Sequence, residues 1–246
     1  LVVDIGGTTT DVGEVKDGFP RLAGTSVTVA DVRTNFSMPD VISIGLGGGS
    51  LVQTGPAPAI GPQSVGHRLT EKAHVFGGDT LTASDLAVAC GRAEMGSHDA
   101  PDIADKAALL EVLDRMLGDV VARTRTSDAE LPVVAVGGGS VLMGETVDGL
   151  SVVRPAHHDL ANAVGAAIAQ VSGEVSKVVQ LGDTLDREAA LDQVTEDARA
   201  IAIERGAAPD TISTLTITDT PLAYLPGNNL SIHVSVVGDL KTEARP

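Results

Sequence analysis

The sequence predicts an α/β chain in which a mixed sheet flanked by helices is followed by a small appended α+β unit. Apolar strands run directly into glycine-rich turns at three places, around Gly6, Gly47 and Gly138. Helical spacing of apolar residues recurs through the middle of the chain, and β-branched alternation marks its last third. With 246 residues, 43% of them hydrophobic, the chain has enough apolar surface for one large domain or a domain with an appendage.

Leu1 to Ile5 reads as a short strand, and Val12 to Val15 as its hairpin partner across Gly6-Gly7-Thr8-Thr9-Thr10-Asp11, with a turn at Lys16-Asp17-Gly18. A further strand is predicted over Val27 to Val32. Val41 to Ile44 leads into Gly45-Leu46-Gly47-Gly48-Gly49-Ser50, and a loop-rich stretch that includes His67 and His74 comes after Pro56 to Pro62. Thr82 and Asp85 have capping-box spacing, with Gly91 placed to close the short helix they open. A longer helix is predicted from about Ala104 to Arg125, its apolar face carrying Leu109, Leu113, Met116 or Leu117, and Val120. Val133 to Val136 is a buried strand ending in Gly137-Gly138-Gly139-Ser140. Asp159 to Val171 is almost entirely small or apolar and reads as a helix that another helix backbone can approach closely. The division falls at 175/176. Beyond it an amphipathic helix from about Arg187 to Arg205 and strands at Thr211 to Thr218 and Leu230 to Val237 make a strand-helix-strand-strand unit.

Composition excludes several classes of function. A formal net charge of −16 opposes general binding to nucleic acid or to an anionic membrane, and 2% aromatic content leaves few platforms for stacking bases. The single cysteine, Cys90, rules out an internal disulfide framework and fits a cytoplasmic protein. No apolar run reaches membrane-spanning length.

The chemistry-bearing residues are concentrated at the strand ends. Asp4 closes a strand, Gly6 and Gly7 let backbone amides approach a ligand, and Thr8, Thr9 and Thr10 add hydroxyls, a set suited to phosphate oxygens. Asp4 or Asp11 is placed to hold magnesium directly or through water. The same residues also suit a plain hairpin with a tight Gly-Gly turn. Gly137, Gly138, Gly139 and Ser140 follow a buried strand, where missing side chains admit a flat group such as adenine or ribose. His67 and His74 are candidates for substrate contact or simply solvated; His157 and His158, as sequence neighbours without a nearby cysteine, fit a metal poorly. Cys90 reads as a buried inert thiol rather than a nucleophile.

Taken together these segments resemble the hydantoinase A/5-oxoprolinase family. Asp4 to Val12 is similar to its second phosphate motif. Ser43 to Ser50, Gly61 to Gly66 and Gly77 to Asp85 are similar to successive signatures, Val136 to Ser140 to its adenosine motif, and Ala161 to Ala167 to its inter-lobe connecting helix. The resemblance implies a lobe of the actin-like, ribonuclease H-like ATPase fold with ATP and magnesium as cofactors. It implies ATP-dependent hydrolysis of a cyclic amide of hydantoin or 5-oxoproline type, with phosphorylation of the ring amide oxygen. Kinases and carboxylase subunits on the same fold, or a non-catalytic regulatory or assembly lobe, are the alternatives. His67 departs from the small residue usual at its position, which bears on substrate. Because the fold's first phosphate motif and catalytic acid lie in another lobe, the resemblance implies a missing N-terminal lobe or partner subunit, in a homo- or hetero-oligomer, and leaves the catalytic residues unassigned.

Overall fold

The computed structural model describes residues 1–16, 18–24, 27–29, 31–34, 38–127, 129, 131–182 and 185–241. The chain divides into two compact units, Leu1–Asn162 and Ala163–Pro246, against the 175/176 division read from the sequence.

The first unit opens with the hairpin of β1 (Val2–Ile5) and β2 (Thr10–Gly13). Two small ribbons follow, β3 (Val15–Lys16) with β4 (Phe19–Pro20) and β5 (Val27–Val29) with β6 (Val32–Thr34). The single strand expected at Val27 to Val32 is therefore two short ones, with Asp31 at φ 64° beside the second; Asp17 and Ala30 lie outside the described residues. Next come β7 (Val41–Ile44), β8 (Ser50–Gln53) and β9 (Ala59–Ser64). The last, for which the sequence predicts no strand, pairs with β8, and its Ile60 is buried in the core.

Helices α1 (Leu69–Lys72), α2 (Ala83–Ala89) and α3 (Lys106–Thr124) precede β10 (Val133–Val136), β11 (Thr146–Val147) and β12 (Leu150–Val153). Thr82 and Asp85 form the reciprocal capping box read from the sequence. In α3 the buried residues are Leu109, Leu113, Leu117, Val120, Val121 and Thr124, a stripe at three- and four-residue intervals that faces a sheet.

That sheet has six strands in the order β11-β12-β10-β1-β2-β7. β1 runs parallel to β10, and β10 to β12; β2 is antiparallel to both β1 and β7, so β1, β7, β10 and β12 all point one way. Val3, Ile5, Thr10, Val12, Val133 and Ala135 are buried toward the helices, while Val2, Asp4, Asp11 and Val136 alternate to the opposite face. Burying a leucine such as Leu113 in this core contributes about 1.5–3 kcal/mol from removal of apolar surface alone.

In the second unit a three-stranded antiparallel sheet, ordered β13-β15-β14, carries one helix. After the short α4 (Ala161–Ala167) the chain enters β13 (Gln170–Leu181), then α5 (Arg187–Glu204), β14 (Ser213–Pro221) and β15 (Asn228–Asp239). The helix expected over Asp159 to Val171 thus stops early. The residues from Gln170 onward pair with β15 along twelve positions, and that ladder outweighs local helix propensity. Ala190, Val194, Ala198 and Ala202 of α5 face Ile232, Val234 and Val236 of β15 across one small core. Gly173 allows the helix to sit directly on β13, since a Cβ there would lie 2.0 Å from the Ala198 carbonyl oxygen.

Candidate functional site at the ends of the central strands

Because β1, β7 and β10 share a direction, the glycine turns that follow them meet at one edge of the six-stranded sheet. Carboxyl ends of parallel strands are the usual ligand edge of such sheets. Backbone hydrogen bonds tie the turns together: Gly48 N donates to Gly6 O at 3.0 Å, Gly49 N to Gly7 O at 2.7 Å, and Gly139 N to Ile5 O at 2.7 Å.

The three turns differ in what surrounds them. Gly7, Thr8 and Thr9 at the tip of the β1–β2 loop are exposed, as is Gly138, and a Cβ added at Gly7 or Gly138 would meet nothing within 4 Å. Gly6 N donates to Thr9 O at 2.9 Å, closing the tip, whereas the amides of Gly7 and Thr8 donate to no acceptor among the described residues. Consecutive amides without a protein acceptor are the kind of donor set that can hold an anion. Thr10, by contrast, is turned inward. Its hydroxyl is buried and donates to Leu46 O at 2.7 Å, so it braces the second turn.

The Gly45 to Ser50 turn is the brace. Leu46 through Ser50 are buried, and a Cβ on Gly47 would stand 2.5 Å from Thr8 N. Ser50 Oγ accepts from Gly47 N at 2.9 Å, and Ser84 Oγ donates to Gly48 O at 3.0 Å, tying the turn to the start of α2. Ser64, at the end of β9, donates to Gly7 O at 3.4 Å. The sequence assigns no role to Ser64 or Ser84 individually; both stand inside segments, Gly61 to Gly66 and Gly77 to Asp85, that resemble family signatures only as a whole.

Asp4 and Asp11 sit directly opposite each other on β1 and β2, in a row that continues through Ser43 on β7. Ser43 Oγ donates to Asp11 Oδ1. Like charges facing across a strand pair are unfavourable unless something offsets them. Among the described residues Asp4 Oδ1 is moreover buried with no hydrogen-bond partner, packed where a Cβ on Gly137 would come within 2.4 Å. A cation or its water shell would supply what this pair lacks, and the two carboxylates fit magnesium, a hard ion that takes one or two carboxylates and keeps water. No cluster of three or more His, Cys, Asp or Glu side chains stands ready for a metal among the described residues, so any ion here would draw its other ligands from elsewhere.

At the third turn Gly137 and Gly139 are buried against Ile5 and Gly6, and only Gly138 faces outward. Ser140 is 1% exposed, and its hydroxyl has no partner. His158 contributes its backbone: its carbonyl accepts from Gly137 N at 2.7 Å, while its ring nitrogen Nδ1 lies 3.0 Å from Pro155 O. His157 holds a left-handed φ of 61° at the start of the short turn. His67 is exposed on the turn just after Ser64, and His74 is half-buried beside Val75. Burial pushes the Cys90 thiol up, which keeps it protonated and poorly nucleophilic at neutral pH.

Residues 1–102 match the family model for hydantoinase/oxoprolinase. A nucleotide-free structure of acetone carboxylase, reported with the mechanism of ATP-dependent acetone carboxylation, superposes with a TM-score of 0.68 at 17% identity. The match takes in 98% of this chain and 46% of that one, so this chain spans less than half of its neighbour's length. No curated protein matches the sequence. Among the described residues no helix is long and apolar enough to cross a membrane.

Proposed function

We propose that the chain is the nucleotide-binding lobe of an ATP-dependent enzyme that activates a carbonyl oxygen, acting on a cyclic amide of hydantoin or 5-oxoproline type, a reading that the match of residues 1–102 to the hydantoinase/oxoprolinase family model supports. The observation that carries this reading is the convergence of the three glycine turns at one sheet edge, with unpaired amides at Gly7 and Thr8 and the Asp4–Asp11 pair beside them.

In this reading Gly7 and Thr8 amides and the Thr8 and Thr9 hydroxyls hold phosphate oxygens, and the open surface at Gly138 receives the nucleoside. Asp4 and Asp11 hold magnesium, directly or through water. ATP would supply a phosphoryl group whose transfer to the ring amide oxygen, with ADP as the leaving group, makes the amide carbon electrophilic toward water. The chain's own part is to fix the phosphates by preformed donors, so that little reorganisation is needed as charge moves. The lobe supplies no assigned general base, and that role falls to the remainder of the enzyme or a partner subunit.

The likeness to acetone carboxylase favours a second reading: a carboxylase component in which the same nucleotide edge activates a ketone or bicarbonate. Titration of magnesium-ATP into the complete enzyme, followed by phosphate release with hydantoins, 5-oxoproline, or ketone plus bicarbonate, separates the two. Release stimulated by a cyclic amide supports the hydrolase; release only with ketone and bicarbonate supports the carboxylase; no nucleotide binding removes both.

A further inference from the structure

Two arginines converge on the carbonyls just beyond the third glycine turn. Arg154, the residue following β12, directs Nη2 at three carbonyl oxygens: Ser140 O at 3.2 Å, Met143 O, and Gly144 O at 3.3 Å. Arg92, just past α2, donates Nη1 to Leu142 O at 2.7 Å and forks onto both carboxylate oxygens of Asp114 on α3 at 2.9 Å. The turn Ser140–Leu142 is a 3-10 helix of three residues. Ser140 O accepts from Met143 N at 3.1 Å, while among the described residues no backbone amide donates to the carbonyls of Leu142, Met143 and Gly144, and cations there satisfy them and complement the local dipole. A hollow of about 470 Å³ opens between the two guanidinium groups, lined also by Val141, Met143 and Glu145.

Resting on the nucleotide reading above, we infer that Arg154 is a positioning residue for the nucleoside half of the site. It anchors the carbonyls of residues 140, 143 and 144, and so sets where Gly138 and Gly139 present their backbone to a bound nucleoside. Arg92 ties the same turn to α3. Neither guanidinium bonds to the phosphate tip, whose carbonyls accept from Gly48, Gly49 and Ser64. A backbone bond, Gly139 N to Ile5 O, joins the two halves, but their side-chain supports are separate, so loss of Arg154 should act first on the nucleoside half.

This separation gives the test. The intact chain, its Arg154→Met variant and its Arg154→Lys variant are titrated with magnesium-ATP and, separately, with magnesium-tripolyphosphate, which has the phosphates and no nucleoside. Arg154→Met should weaken ATP tenfold or more while tripolyphosphate affinity stays within twofold, and added guanidinium ion should restore part of the loss. Lysine keeps the charge but not the branched fork, so Arg154→Lys should weaken ATP with the same selectivity, and it replaces the methionine variant if that one does not fold. Equal loss of both ligands, or no loss of either, overturns the inference while leaving the nucleotide reading intact. Wild-type protein that binds neither ligand overturns both.

Discussion

The turn from Gly6 to Thr9 and the turn from Gly45 to Ser50 have the same glycine-and-hydroxyl texture, yet one is an exposed tip with free amides and the other a buried joint beneath it. In the joint, glycine is required because backbone approaches backbone: nothing larger fits between Gly47 and Thr8 N. At the tip, open space surrounds Gly7, and its lack of a side chain matters only to an incoming ligand. A glycine cluster after a strand therefore reports close approach without saying what approaches.

Substitutions break this comparison in a definite order. Gly47→Val should have the largest effect on stability, about 3 kcal/mol or more, since the inserted atoms meet fixed backbone and overpacking of that kind is not relieved by rotamer change. Urea unfolding measures it; a loss below about 1 kcal/mol would show that the joint yields. Leu113→Ala, on the face of α3 that the joint's sheet rests on, calibrates that number at about 2–5 kcal/mol.

Gly7→Val should do the reverse, changing stability by no more than about 1 kcal/mol while lowering magnesium-ATP affinity at least tenfold. Calorimetric titration of both glycine variants is the sharpest contrast available, and equal nucleotide affinity in wild type and Gly7→Val would remove the phosphate role of the tip. Asp4→Asn tests the neighbouring carboxylate pair. Relief of like-charge repulsion should leave stability unchanged or raise it by a few tenths of a kcal/mol, up to about 1, while magnesium-dependent nucleotide binding falls. A large loss of stability instead would mean that the charge is structural.

The smallest effect belongs to the second unit. Arg187 donates Nε and Nη2 to the Asp219 carboxylate at 2.6 and 2.9 Å, and these hydrogen bonds hold that carboxyl below its ordinary range. A carboxyl depressed in the folded state contributes stability above its unfolded pKa, about 3.9, and loses that contribution as pH falls through the folded value. Wild type and Arg187→Ala should accordingly differ slightly in melting temperature at neutral pH and converge in acid. Both partners are solvent-screened, so added salt should shrink the difference too.

Helices were legible where either a cap or a periodic face marks them locally. Thr82 with Asp85 marked the start of α2, and the Leu109, Leu113 and Leu117 stripe marked the body of α3, because each signal lies within a few residues of chain. The early end of the helix near Ala167 was not legible, since the competing partner of Gln170 to Leu181 lies on β15, 47 to 69 residues onward. The strand at Ala59–Ser64 was hidden for a similar reason: its glycine and proline argue for a loop, and only its pairing with β8 makes it a strand.

By itself the sequence determined the α/β class, the acidic character that disfavours polyanions, the candidate phosphate residues Asp4 to Thr10 and the family resemblance, all of them properties of residue type and short-range order. Tertiary structure alone decided that three glycine turns share one edge, that Thr10 and Gly47 are braces while Gly7 and Gly138 face outward, and that Asp4 and Asp11 oppose each other. Those outcomes depend on strand direction and register, which hydrogen bonds between distant segments set and which no local window of sequence contains.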